Sequence, residues 1–160
     1  MEHYHLRRKD RSITEEKELF DILERCKYVT LALSKDNTPY AVTLSYGFDR
    51  SNKKIYLHCA KEGKKIDYIQ SNKKVCGTII SDQGYVQGNC KQKYESIVFN
   101  GVINIITSFE EKTEAIEILI NHLENNPDIM LKKVMTNKKR IQLLNVLCIE
   151  IVDFCGKRGE

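Results

Sequence analysis

Between Tyr40 and Ile69 the chain reads Tyr-Ala-Val-Thr-Leu-Ser-Tyr-Gly-Phe, a turn, then Ile-Tyr-Leu-His-Cys-Ala-Lys-Glu-Gly-Lys-Lys-Ile-Asp-Tyr-Ile, an order that few folds accept. Val42, Leu44, Tyr46 and Phe48 alternate with Thr43, Ser45 and Gly47, the period of two expected of a strand with one face on a core. Asp49 to Lys53 is a turn-rich break of hairpin length. From Ile55 to Ala60 the alternation resumes, with Ile55, Leu57 and Cys59 directed one way and Tyr56 and His58 the other. A helix carrying Ile66 and Ile69 then begins at Gly63-Lys64-Lys65. Two ammonium groups beside the free N–H donors and positive pole of a helix suit an anion, most naturally a phosphate. Taken alone, such a pair is more often solvated surface than an anion site.

Upstream, Ser12 or Thr14 followed by Glu15 and Glu16 reads as a helix start, and Leu19, Ile22, Leu23 and Cys26 recur behind it at helical spacing. Val29 to Ser34 alternates as a strand, and Ser34 to Pro39 turns out of it, with Asp36 and Asn37 tolerant of left-handed backbone. Downstream, Val75 to Ile80 is a strand and Ser81 to Lys93 a polar stretch read as a long loop or loosely paired segment. Ser96 to Ile106 is the longest apolar strand, with Ile97, Phe99, Ile103 and Ile105 on one side and Val98, Val102 and Ile106 on the other. That implies burial on both faces, or one face held against another subunit. Gly101 in its middle marks a bulge or a close backbone approach. Glu110 to Asn125 is a helix stopped by Asn126-Pro127, Asp128 to Asn145 a short helix and a basic loop, and Val146 to Phe154 a closing strand. About six strands and three helices with hairpin-length links predict a mainly β fold with flanking helices, its antiparallel sheet rolled into a small barrel.

The length of 160 residues, 41% hydrophobic and 30% charged, fits a single domain over residues 1–160, with residues 1–11 as a basic N-terminal arm. The net charge of +4 is scattered, and no stripe of aromatic and basic residues stands out, so nucleic acid is not an expected partner. No apolar run reaches membrane-spanning length and none follows the charged N-terminus, so neither a membrane nor export is expected and the expected location is cytoplasmic. The 6 cysteines include no C-x-x-C pair, which favours reduced, mostly buried thiols over disulfides or zinc. His3 and His5 read as surface residues rather than a metal site.

Taken in order, Arg-Arg-Lys-Asp-Arg at 7–11, Pro39-Tyr40-x-Val42-x-Leu44-x-Tyr46, Ile55-Tyr56-Leu57-His58-Cys59-Ala60-x-x-Gly63-x-Lys65, Lys74-Val75-Cys76, Tyr94-Glu95-Ser96-Ile97-Val98-Phe99-x-Gly101 and Gly156-Lys157 form a pattern spanning nearly the whole chain. It resembles the nitroimidazole-resistance branch of the pyridoxamine 5′-phosphate oxidase-like flavoproteins. The resemblance implies an FMN-binding six-stranded split β-barrel that works as a homodimer, with two flavin sites at the subunit interface. It implies that the flavin phosphate lies near Lys64 and Lys65, the latter being the better match, and that Val42, Thr43, Leu44, Ser45 and Tyr46 run beside the ring and ribityl chain. His58 would point into the pocket with Cys59 and Ala60 next to it, and Tyr94, Ser96 and Val98 would reach the site from the partner subunit. Tyr46, Tyr56 and Tyr85 would line the substrate space or pack in the core. The implied activity is an FMN-dependent oxidoreductase that passes a hydride or electrons to small electron-poor acceptors such as nitroaromatics, with His58 as the one candidate for proton transfer. The alternative is a non-catalytic barrel that carries FMN or haem.

Overall fold

Residues 7–159 are described by the computed structural model; His3 and His5 lie outside them. Asp36 and Asn37 take φ of 48° and 59°. That double left-handed turn folds β2 (Tyr28–Lys35) tightly onto β3 (Thr38–Ser45). The extended run continues past Tyr46 as β4 (Gly47–Asp49), which pairs with β5 (Lys54–Cys59). After α2 (Lys64–Ser71) come β6 (Lys74–Val86) and β7 (Lys91–Ile106), and the chain closes with β8 (Asn145–Gly159). A short β1 (Ser12–Ile13) adds to β8.

All pairings are antiparallel, in the order β3-β2-β6-β7-β8-β5-β4. The first and last strands of that order are two halves of one segment joined by Tyr46 alone, so the sheet comes round on itself. At the junction the Tyr46 N–H donates to the Lys27 carbonyl at 3.3 Å, and the Tyr46 hydroxyl donates to the Leu23 carbonyl at 2.6 Å.

The sheet has eight strands where the sequence predicts six. One extra strand is β1, too short to show periodicity. The other arises because the run from Tyr40 to Phe48 is broken at Tyr46, whose ring is fully buried in the core. Of the two readings of the polar stretch Ser81 to Lys93, the paired one holds, as a hairpin: Tyr85 pairs with Gln92 and Val86 with Lys91, and an irregularity between Asp82 and Tyr85 absorbs Gly84 at φ 92°. Gly101 does mark a bulge, the register shifting between Asn100 and Gly101, and a Cβ on Gly101 would sit 2.7 Å from the Glu150 carbonyl oxygen.

Val29, Leu31, Val75, Ile79, Ile97 and Phe99 fill the interior, and Phe99 fits because Gly77 opposite has no side chain; a Cβ there would lie 2.1 Å from the ring. Helix α1 (Glu16–Arg25) covers one opening with Leu19, Phe20, Ile22 and Leu23. Glu15 precedes it without a side-chain cap, because Ser12 is drawn into β1. Helix α3 (Phe109–Leu123) is capped by Ser108, whose Oγ accepts from Glu111 N–H at 3.3 Å. Pro127 opens a further helix, α4 (Pro127–Met135), and α5 (Lys138–Leu143) follows, so the expected short helix and basic loop hold two helices. Helices α3, α4 and α5 build a second apolar cluster on the outside of β5 and β8. No described helix is long and apolar enough to cross a membrane.

Candidate anion and flavin site

Gly63, immediately before α2, has φ 126°, a conformation that L side chains rarely adopt, and a Cβ there would meet nothing within 4 Å. The backbone turns sharply into open space. The Gly63 carbonyl accepts from Ile66 N–H at 2.8 Å and Asp67 N–H at 3.2 Å, while the amides of Lys64 and Lys65 have no intrahelical acceptor and no side chain caps the helix. Cations at this end of a helix oppose its macrodipole. Lys64 and Lys65 stand there all the same, and neither forms an ion pair among the described residues. An anion would offset the positive charge gathered at this corner.

Two further contacts fix that corner. The Lys64 ammonium lies 4.7 Å from the Tyr40 ring centre and 5.6 Å from that of Tyr68, and the two rings are 5.2 Å apart. Tyr68 is one helical turn beyond Lys64 and Tyr40 belongs to β3, so the arrangement ties the start of α2 to the sheet. The Asn145 side-chain amide donates to the Lys61 carbonyl at 3.1 Å and to that of Ala60 at 3.4 Å, holding the link between β5 and α2. Sequence reasoning missed Asn145, which carries no local signal. The Lys64–Tyr68 spacing of four was visible in principle.

Along β3, Val42 and Leu44 pack inward and are half-buried, while Thr43 is exposed, its hydroxyl 2.9 Å from that of Thr30. Ser45 is half-buried opposite Tyr28. The Tyr46 side chain is committed to the core, burial holding its phenol far above the usual range, so only its backbone remains for a ligand. Tyr56 belongs to the outer cluster under α3, and Tyr85 is exposed near the tip of the β6–β7 hairpin.

Cys59 is buried and points inward, and Ala60 is exposed at the mouth of the link to α2. Burial raises the Cys59 and Cys76 thiols above their ordinary pKa, so both stay protonated near neutrality. All six cysteines are free, Cys90 being exposed. Among the described residues no group of three or more His, Cys, Asp or Glu side chains is placed to hold a metal ion.

His58 alternates to the outer side of β5 and lines a groove of about 230 Å³ between that strand and α3, α4 and α5. Burial, then Lys65 and Arg140, lower its pKa, which keeps the imidazole neutral at pH 7. The structure thus sets Lys64 and Lys65 at the start of α2, with Tyr40 of β3 against Lys64 and His58 within electrostatic reach of Lys65. Tyr94, Ser96 and Val98 are not brought there: they lie on β7, with β2 and β6 intervening, about 14 Å along the sheet at ~4.8 Å per strand. Tyr94 closes over Gly159, and Ser96 Oγ reaches the Lys157 carbonyl at 3.5 Å.

The family model for pyridoxamine 5′-phosphate oxidase matches residues 15–158. The chain belongs to the pyridoxamine 5′-phosphate oxidase family. The solved structures that share its fold include a candidate 5-nitroimidazole antibiotic resistance protein from Bacteroides thetaiotaomicron, at TM-score 0.79 and 21% identity over 98% of this chain and 96% of that one. A flavocytochrome from Azotobacter vinelandii superposes at TM-score 0.80 and 15% identity, covering 99% of this chain and 74% of that one. An FAD and haem binding protein from Mycobacterium smegmatis gives TM-score 0.74 and 14% identity, covering 94% and 74%. No curated protein matches the chain.

Proposed function

We propose that the protein binds FMN at the start of α2 and works as a flavin-dependent oxidoreductase on small, flat, electron-poor acceptors such as nitroaromatics. The observation that carries this reading is the pair Lys64 and Lys65 at an uncapped helix N-terminus, placed against the helix dipole and without carboxylate partners among the described residues. The residues fit a terminal phosphate: an unobstructed glycine turn, an uncapped helix start and two lysines in its first turn supply amide donors and positive charge at one corner.

In this reading Lys65 bonds the phosphate, Lys64 adds charge from its seat on Tyr40 and Tyr68, and Asn145 keeps the Ala60–Lys61 carbonyls from closing the entrance. Thr43 and the backbone of β3 border the elongated part of the cofactor. Bound flavin supplies the electron transfer itself. His58, held neutral, accepts a hydrogen bond or a proton at its imidazole rather than releasing one. Tyr94, Ser96 and Val98, remote from α2 within one chain, contribute from a second copy, so the working form is a homodimer with two sites.

A non-catalytic flavin or haem carrier is the second reading, favoured by the solved FAD and haem binding protein of similar fold. One experiment separates the two. The absorption spectrum of untagged protein is recorded, the sample is reduced anaerobically and a nitroaromatic is added. A flavin spectrum that bleaches and returns with consumption of the nitro compound supports the oxidoreductase. A Soret band, or bleached flavin that the nitro compound does not reoxidise, supports the carrier.

A further inference from the structure

Helices α4 and α5 carry a charge pattern that the flavin reading does not use. No Asp or Glu stands between Asp128 and Glu150, whereas Lys132, Lys133, Lys138, Lys139 and Arg140 all do, and each of them is exposed. Met130, Leu131, Val134 and Met135 pack α4 on the outer apolar cluster, and the buried Ile141 anchors α5, so the basic residues are left facing water. None of them forms an ion pair among the described residues, although cations elsewhere find carboxylates: Arg50 meets Asp21 and Glu24, and Arg158 meets Glu18 and Glu95. Two apolar side chains stand out beside them, Ile129 at 70% exposure and Leu143 at 58%. Like charges gathered on short helices repel one another and attract an acidic surface over about 10 Å at 0.1 M salt.

This face borders the corner where the cofactor is proposed to bind. Asn145, just past the end of α5, bonds the Ala60 and Lys61 carbonyls, so the end of α5 meets the link into α2. Arg140 and Lys65 both stand close enough to His58 to bear on its imidazole. Composition narrows the occupant. No Phe, Tyr or Trp lies between Phe109 and Phe154, which leaves no stacking platform for single-stranded nucleic acid and no ring to seat in a lipid interface. A protein that delivers electrons must come up beside the flavin, and such encounters are small, below about 1,200 Å² in total. Lysines around two exposed apolar side chains suit a contact of that kind. We propose, resting on the flavin reading above, that the exposed face of α4 and α5 docks a small acidic electron-carrier protein that reduces the cofactor. Two reduced carriers in turn give up one electron each and leave oxidised, and the flavin gains both electrons with one proton from solvent. The basic residues steer the carrier in, and Ile129 and Leu143 give it a dry contact where it settles.

Calorimetric titration of the full-length protein with an oxidised plant-type ferredoxin and with an oxidised flavodoxin, both acidic, tests the docking whether or not flavin is bound. The absorption spectrum recorded beforehand judges the flavin reading separately. At least one carrier binds saturably and loses affinity about tenfold or more between ~0.05 M and ~0.3 M salt. Lys138→Glu with Lys139→Glu weakens it about tenfold or more; in flavin-loaded protein this pair also slows reduction by the reduced carrier while leaving reduction by dithionite unchanged. Lys91→Glu with Lys93→Glu, at the far end of β7 from α5, does neither. All four lysines are exposed, so neither pair disturbs the core. Binding of neither carrier, affinity indifferent to salt, or equal losses from the two pairs would overturn the proposal. So would a carrier that binds without reducing loaded flavin, or tighter binding to phosphatidylglycerol vesicles or a single-stranded oligonucleotide than to either carrier.

Discussion

Lys64 and Lys65 carry the same charge and differ in what already holds them. The first lies over two tyrosine rings, while the second is half-buried at the helix mouth with its ammonium uncommitted. Lys65→Ala therefore weakens FMN about tenfold to a hundredfold, the worth of one charge-assisted bond, and Lys9→Ala leaves it unchanged; flavin fluorescence titration measures both. Equal losses would mean that overall charge, not this corner, holds the cofactor. His58→Ala lowers turnover more than FMN affinity, and unchanged turnover in a fully loaded variant would remove His58 from the mechanism. Histidines also set a pH dependence. His122 Nε2 lies 2.7 Å from the Cys26 carbonyl oxygen and its ring 4.8 Å from that of Tyr46, and burial lowers its pKa, as it does for His58. A lowered folded-state pKa means that the unfolded chain takes up protons first. Stability is thus full above the ordinary histidine pKa of about 6.5 and falls as pH drops through it. Urea midpoints should decline from about pH 7.5 to pH 5.5, and His122→Asn should flatten that slope.

At the scale of elements, packing decides where glycine stands. Gly77→Ala drives a methyl group into the Phe99 ring and should cost about 1–3 kcal/mol, partly recovered when Phe99→Leu is added; thermal melts of the single and double variants read the coupling. Period-two alternation made most of the sheet legible, and the Asp36–Asn37 turn and the Gly101 bulge could be read from residue type alone. The break at Tyr46 could not. Its side chain alternates like its neighbours, and only the docking of its hydroxyl on Leu23, far away in sequence, ends the strand there. The Ser81 to Lys93 hairpin stayed undecided between loop and paired segment for the opposite reason: its pairing joins polar side chains, which leave no periodic trace. Around the site, Lys64, Lys65 and His58 announced themselves by spacing. Arg140 and Asn145 did not, because α5 and the start of β8 approach β5 only through the tertiary fold.

For the molecule as a whole, the unhelped side of the sheet is the informative surface. Tyr28 is 65% exposed, Ile80 59%, Val98 43% and Val152 56%, on β2, β6, β7 and β8 in turn. In the proposed homodimer these four side chains are the ones a second copy would cover. If a second copy covers them, replacing Ile80 and Val152 together by glutamate should give a monomer in sedimentation velocity that also loses FMN, since Val98 would no longer reach the other site. A monomer that retains FMN at full affinity would show that each chain binds the cofactor unaided. The passage through Tyr46 bears on all of this. Because one ribbon supplies both margins of the barrel wall, a one-residue slip on β2 would have to be matched by an equal slip on β5. The hoop resists such creep from both sides at once, and a backbone cut at that single residue would release the two margins to move independently.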